Sequence, residues 1–362
     1  MSEPYFDRHS SDVIKGAALL LMFIHHFFTF PEWYVPALSG LAHPWFAAHF
    51  SAPTRLCVGI FAFLSGYFYY FSKDKTLRHS LQKISDFLIS YWAVYALLLL
   101  AAFAAAGYRP GARSLCHELF ALERPVMVFC WYVVYYCTFM LVLPLLWRLL
   151  DRDAVAAIVF GVVLPVAVAQ MAALRFPGNE VREIVDEFTP WFPVTVTGYL
   201  FARHDLFRRW FDAAWKEPLG KAARVAVWVL LLGLSFFARL YCSSFTVGSA
   251  TFRTDAFALS FNPDMLYVPV FLYAFVNLWA LLPQRKPGAV FAAVGKSSML
   301  MWFFHCAFFN VARNVTQPIL FFPRFAPLVL LWGAALCYAA ARFVDIPVRR
   351  LNGWKNRILF GK

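Results

Sequence analysis

Apolar residues run along this chain in ten blocks, roughly 12–30, 56–72, 84–107, 127–147, 154–173, 188–203, 224–242, 265–283, 297–315 and 326–344. Most approach the about 20 residues a helix needs to cross a bilayer core. Charged residues collect between the blocks. Block 188–203 is short and holds Pro190 and Pro193; Pro165 and Pro269 lie inside theirs, where kinks are expected. The pattern predicts an all-α fold: a polytopic transmembrane helix bundle of about ten spans. It reads as one domain over residues 1–362, with no appended soluble domain, internal repeat or low-complexity stretch. The flank SEPYFDRHSSD lacks a positively charged n-region, so the first block is expected to stay as a span rather than be cleaved as a signal peptide.

Composition supports this reading. Hydrophobic residues make up 61% of the chain and charged residues 15%, with a mean hydropathy of +0.61. Soluble domains carry about 25% charged residues, so this chain lacks the material for a polar coat. The formal net charge is +13. With the N-terminus inside, the inner segments hold Arg8, the cluster Lys73, Lys75, Arg78 and Lys83, Arg148 and Arg152, Arg208, Arg209, Lys216 and Lys221, Arg285, Lys286 and Lys296, and the C-terminal cations. These clearly outnumber the cations of the outer loops, which instead hold acids such as Glu180, Glu183, Asp186 and Glu187. Both termini are therefore expected in the cytoplasm. Topology accounts for the charge, which removes the case for a nucleic-acid partner. The seven cysteines show no CxxC spacing. Cys130 and Cys137 lie seven apart, on one face of a helix, but two thiols alone make a poor metal site, so all seven are read as packing residues and no metal is expected.

The polar residues inside the spans carry the chemistry. In the stretch IKGAALLLMFIHHFF, Lys15 and His26 are eleven residues apart. At about 100° per residue they share one helix face, roughly 16 Å apart along the axis, while His25 points about 80° away from Lys15. Lys15 near the inner surface can hold an anionic carrier, and a neutral His26 deeper in can serve as a general base. Alternatively, Lys15 snorkels to headgroups and both histidines bond to neighbouring helices. Ionisable residues within spans mark functional sites by default. In GKSSMLMWFFHCAFFN, Lys296 opens a helix on which Ser298 and His305 share a face, which repeats the arrangement of a cation at the mouth and a histidine inside. Ser65 and Gly66 are read as close-packing residues. The loop with Lys73, Lys75, Arg78 and Lys83 is either a solvated inner loop or a phosphate-binding rim. Arg239 and Arg313, toward outer helix ends, either snorkel or bind a sugar or carboxylate.

Several stretches, in order, resemble the acyltransferase-3 family of bacterial membrane acyltransferases. KGAALLLMFIHH matches the family's basic residue followed eleven positions on by histidine, with Lys15 where arginine is usual. The lysine keeps the charge and loses the bidentate fork. FAFLSGY at 61–67 matches the end of the second helix, although the Arg-x-x-Arg pattern that follows in the family is replaced by Arg78 and Lys83. CWYVVYYCTFMLVLPLL matches through Trp131, Tyr132 and Pro144; GYLFAR matches at 198–203; the Gly-Lys-x-Ser…His helix matches at 295–305; and DIPVRR matches the closing phrase with Asp345 for glutamate.

The resemblance implies transfer of an acyl group from cytoplasmic acyl-CoA, usually acetyl-CoA, to a hydroxyl on a glycan or lipid-linked sugar at the bacterial cytoplasmic (inner) membrane. It implies His26 as the catalytic histidine with Lys15 as its basic partner and His25 beside it. Lys15, Arg78, Lys83 and Lys296 are the candidates for CoA phosphates. Trp131, Tyr132, Ser298, His305 and Arg239 are the candidates for the acceptor. Rival readings are a transporter or flippase of a glycan or lipid-linked sugar, and a structural scaffold, which leaves the spacing of Lys15 and His26 without a purpose. The acceptor, the choice of acetyl or succinyl, an acyl-enzyme against direct transfer, and a homo-oligomer or glycan-assembly partner all stay open.

Overall fold

Asp7 starts the first helix. Its Oδ1 accepts from the backbone N–H of Ser10 at 2.7 Å, the N-cap arrangement that satisfies an orphan donor of the first turn. From there α1 runs unbroken from Arg8 to Phe28. The computed structural model describes residues 3–30, 33–36, 47–175, 180–212, 220–241, 244–247, 250–253, 262–281 and 287–361. Cys242 and the predicted inner cations Lys216, Arg285 and Lys286 lie outside the described residues.

The remaining helices are α2 (Leu56–Tyr70), α3 (Leu77–Ala106), α4 (Ala112–Leu119), α5 (Tyr132–Leu150), α6 (Ala154–Ile158), α7 (Leu164–Arg175), α8 (Glu180–Phe188), α9 (Phe192–His204), α10 (Lys221–Tyr241), α11 (Asp264–Ala280), α12 (Pro287–Lys296), α13 (Ser298–His305), α14 (Arg313–Leu320) and α15 (Ala326–Phe360). Each of the ten apolar blocks contains helix, although residues 127–131 of the fourth form an irregular turn and its helix starts at Tyr132. This is a helical membrane protein: among the described residues five helices are long and apolar enough to cross a bilayer, and a sixth span results if α12 and α13, broken at Ser297, act as one.

The structure departs from the sequence pattern in places with local causes. Pro165, lacking an N–H, follows a π-turn at Val159–Val163 that separates α6 from α7. Pro193 falls in the first turn of α9, where proline costs nothing, so that helix starts at Phe192 rather than at 188. Lys296 ends α12 instead of opening the histidine helix. The block at 297–315 is also interrupted after the 3-10 turn Cys306–Phe308, where the Asn310 side chain accepts from the Ala312 N–H. Cys130 precedes α5, so it shares no helix face with Cys137. A short antiparallel hairpin, β1 (Ser244–Val247) with β2 (Ala250–Arg253), is the one addition to the helical pattern among the described residues.

The chain packs as two units interleaved in sequence. The first comprises Met1–Met22, His49–Asp74 and Leu146–Lys296. Its helices meet through glycines. A Cβ on Gly66 of α2 would lie 1.8 Å from the Thr195 carbonyl of α9, and one on Gly198 of α9 would lie 2.0 Å from the Phe63 carbonyl of α2. The Thr195 hydroxyl bonds across to the Ala62 carbonyl at 2.9 Å. Two of the sequence motifs, FAFLSGY and GYLFAR, thus form one backbone-to-backbone contact, the small-residue packing that membrane helices use. The same device joins α1 to α12 through Gly16 and Gly295.

The second unit comprises Phe23–Ala48, Lys75–Leu145 and Ser297–Lys362. Here α13 packs on α3 and α15. The extension of α15 beyond its apolar block is fastened by Lys355, whose Nζ lies 2.6 Å from both Asp86 Oδ1 and Ser85 Oγ of α3. The connection between α3 and α5 is held by Glu118, a buried carboxylate accepting from the hydroxyls of Tyr95 at 3.1 Å and Tyr108 at 2.6 Å. Burial and that carboxylate push the Tyr108 hydroxyl up to about 12.

Candidate active site

The last turn of α1 carries two adjacent histidines with different surroundings. His25 bonds to the hydroxyl of Thr29, one turn on, at 3.1 Å and meets Phe30 edge to face. His26 is 8% exposed, and its Nδ1 lies 2.8 Å from Nε2 of His305 on α13. His305 is wholly buried, and its own Nδ1 bonds to the backbone carbonyl of Trp302.

These bonds fix the proton positions by elimination. A carbonyl only accepts, so Nδ1 of His305 carries the proton. In a neutral His305, Nε2 is then the acceptor, and the hydrogen between the rings belongs to Nδ1 of His26. Nε2 of a neutral His26 is left with the lone pair, the form that removes a proton from another group.

Aromatic rings set the plane of His26. Phe129 stacks on it with centroids 3.8 Å apart and planes 6° apart, and Trp33 stacks on Phe129 in turn at 5.0 Å. Phe23 lies against His305 at 5.7 Å. Trp302, which supplies the carbonyl, meets Tyr132 edge to face at 5.8 Å, and Tyr132 meets Trp131. Trp131 and Tyr132 therefore belong to the aromatic cluster that flanks the histidine pair. Ser298 is buried at the start of α13, on the face of His305 and about two turns before it.

Lys15 lies in the first unit. Its Nζ pairs with Asp12 at 2.7 Å, and the side chain is 33% exposed. The contact of Gly16 with Gly295 puts Lys15 and Lys296 on adjoining residues of α1 and α12. Arg78 and Lys83 are exposed on the first turns of α3, and Arg78 donates to the Phe360 carbonyl at 3.4 Å. Arg239 is buried against Asp264 of α11 at 3.0 Å, an ion pair within the first unit rather than a cation held open for an acceptor. No group of three or more His, Cys, Asp or Glu able to hold a metal occurs among the described residues.

The acyltransferase domain of the acyltransferase-3 family matches residues 8–342. The chain belongs to the acyltransferase-3 family. No curated protein and no solved structure matches it. An acyltransferase-3 domain covering nearly the whole chain makes this a membrane acyltransferase. In this acyltransferase, the family's spacing from Lys15 to His26 lies on one continuous helix, while the histidine of the Gly-Lys-x-Ser…His motif is the one that bonds to His26. Sequence reasoning missed Phe129 and the Trp302 carbonyl. Phe129 sits in an irregular turn two residues before the Trp131 motif, where no helical period points to it.

Proposed function

We propose that this acyltransferase moves an acyl group, acetyl in the first instance, from cytoplasmic acyl-CoA to a hydroxyl of a cell-envelope or exported glycan. It does so as one domain of about ten spans in the bacterial cytoplasmic membrane, with both termini inside. The observation that carries the reading is the bond from Nδ1 of His26 to His305, which leaves the lone pair of His26 on Nε2.

In this mechanism Nε2 of His26 takes the proton of the acceptor hydroxyl as its oxygen attacks the thioester carbonyl. The carbon–sulfur bond breaks, and the departing CoA sulfur recovers a proton from the imidazolium. His305 is a positioning residue: it holds the tautomer of His26 and stabilises the cation that forms, as a buried hydrogen-bond acceptor does for a catalytic imidazole. Phe129 fixes the ring plane. Lys15 and Lys296 bind the donor's phosphates, and Trp131 and Tyr132 offer faces to a sugar ring.

The test uses purified protein, labelled acetyl-CoA and membrane glycans, comparing the native chain with His26→Ala. Transfer of label that ends with the substitution supports the reading. Transfer at the native rate refutes the role of His26.

A further inference from the structure

Two cysteines outside this mechanism face one another beside it. Cys130 Sγ lies 3.6 Å from Cys306 Sγ, and both residues are fully buried. Cys306 Sγ also lies 3.9 Å from Nδ1 of His305 and 3.9 Å from the Trp302 carbonyl to which that nitrogen bonds. Their place in the chain matters as much as their separation. Cys130 directly follows Phe129, the ring stacked on His26, and Cys306 directly follows His305, the ring bonded to His26.

We propose that Cys130 and Cys306 form a redox-modifiable pair, and that the disulfide between them lowers turnover by displacing both neighbours of His26. The oxidant class is a peroxide, small and uncharged enough to enter an apolar interior. One thiolate attacks the O–O bond, giving a sulfenic acid and water. The second thiol then attacks that sulfur, expelling a second water and leaving the S–S bond. In total, two thiols lose two protons and two electrons, and one peroxide becomes two waters. Closing the pair brings the sulfurs to about 2.05 Å, a convergence of roughly 1.5 Å. That motion is taken up by residues adjoining Phe129 and His305, whose contacts to His26 are 3.8 Å and 2.8 Å. The activity consequence rests on the proposed role of His26; the cross-link itself does not.

The full-length chain, in detergent, is treated with hydrogen peroxide and divided. One part is alkylated in denaturant and digested without reductant for mass spectrometry. The other is assayed for acetyl transfer before and after dithiothreitol. The expected results are a Cys130–Cys306 cross-linked peptide and a fall in kcat of about fivefold or more that dithiothreitol reverses. Cys130→Ala is expected to abolish both the cross-link and the sensitivity to peroxide, and Cys116→Ala, which removes an exposed thiol, is expected to change neither. Both thiols remaining alkylatable after peroxide overturns the site. A cross-link that forms with unchanged kcat, or a fall in kcat that persists in Cys130→Ala, overturns the switch. If His26→Ala also transfers acetyl at the native rate, the mechanism fails, while the cross-linked peptide still reports on the pair by itself.

Discussion

Nδ1 of His26 lies 2.8 Å from Nε2 of His305, a bond between residues 279 positions apart in the chain. Together with the Trp302 carbonyl it forms a line of groups, carbonyl to imidazole to imidazole, in which each proton has one place. The histidine that the first helix supplies is thereby oriented by another helix of the same unit.

Removing His26 is expected to lower kcat by about 100- to 10,000-fold, the range that a positioned general base supplies. His305→Ala is expected to lower kcat by about 100-fold with little change in KM, because it acts through His26. His305→Gln places an amide oxygen near the lost Nε2 and should recover part of the rate. A His305→Ala variant with native kcat and a raised acceptor KM would instead make His305 a substrate contact.

Lys15→Ala is expected to raise the KM for acyl-CoA about tenfold, equivalent to about 1.4 kcal/mol. Lys15→Arg keeps the charge and should stay close to the native KM. Titrating salt distinguishes this from a packing effect, since added ions should narrow the gap between Lys15→Ala and the native chain. A gap that ignores salt argues against phosphate binding.

Arg239 and Asp264 form a buried ion pair, and removing one partner leaves the other charge stranded. Arg239→Ala should destabilise the fold by about 3–5 kcal/mol, whereas the double change Arg239→Met with Asp264→Leu should recover much of it. Thermal unfolding in detergent measures both. Native stability in Arg239→Ala, combined with lost acceptor saturation, would return Arg239 to the acceptor site.

The interlock of α2 and α9 predicts a graded response to alanine. Gly66→Ala sets a Cβ 1.8 Å from the Thr195 carbonyl and should cost about 1–3 kcal/mol or more. Gly233→Ala, in the middle of α10 with nothing within 4 Å, should be neutral or stabilising by up to about 1 kcal/mol. Equal melting temperatures for the two variants would contradict the packing.

Asp7 gives the N-terminus a pH dependence. The backbone N–H of Ser10, then its side chain, hold the Asp7 carboxyl below its ordinary value of 3.8. A depressed folded-state pKa means the contribution is fully present above about pH 4 and is lost as pH falls through the folded value. Asp7→Ala should cost about 1 kcal/mol at neutral pH, and its difference from the native chain should vanish in acid. A difference that is as large in acid as at neutral pH in a melting series would exclude the cap.

The sequence by itself determined the class of this protein and where its apolar segments lie. Ten apolar blocks, with too little charge for a soluble coat, leave only a helical membrane protein, because the backbone must satisfy its own hydrogen bonds in lipid. It also singled out Lys15 and His26, whose relation is set by the regular turn of one helix. What bonds to His26, what stacks on it, and what neutralises Arg239 were decided only by tertiary structure. Spacing reports which residues share a face within one helix. It does not say which helix lies opposite, and where both helices are apolar nearly all round, their faces carry no pattern that identifies the partner. His305 was visible as a polar residue in an apolar helix, but its contact with His26 depends on how α13 meets the end of α1. Phe129 fell within the apolar block 127–147, but it lies in an irregular turn before α5, so no helical period tied it to His26.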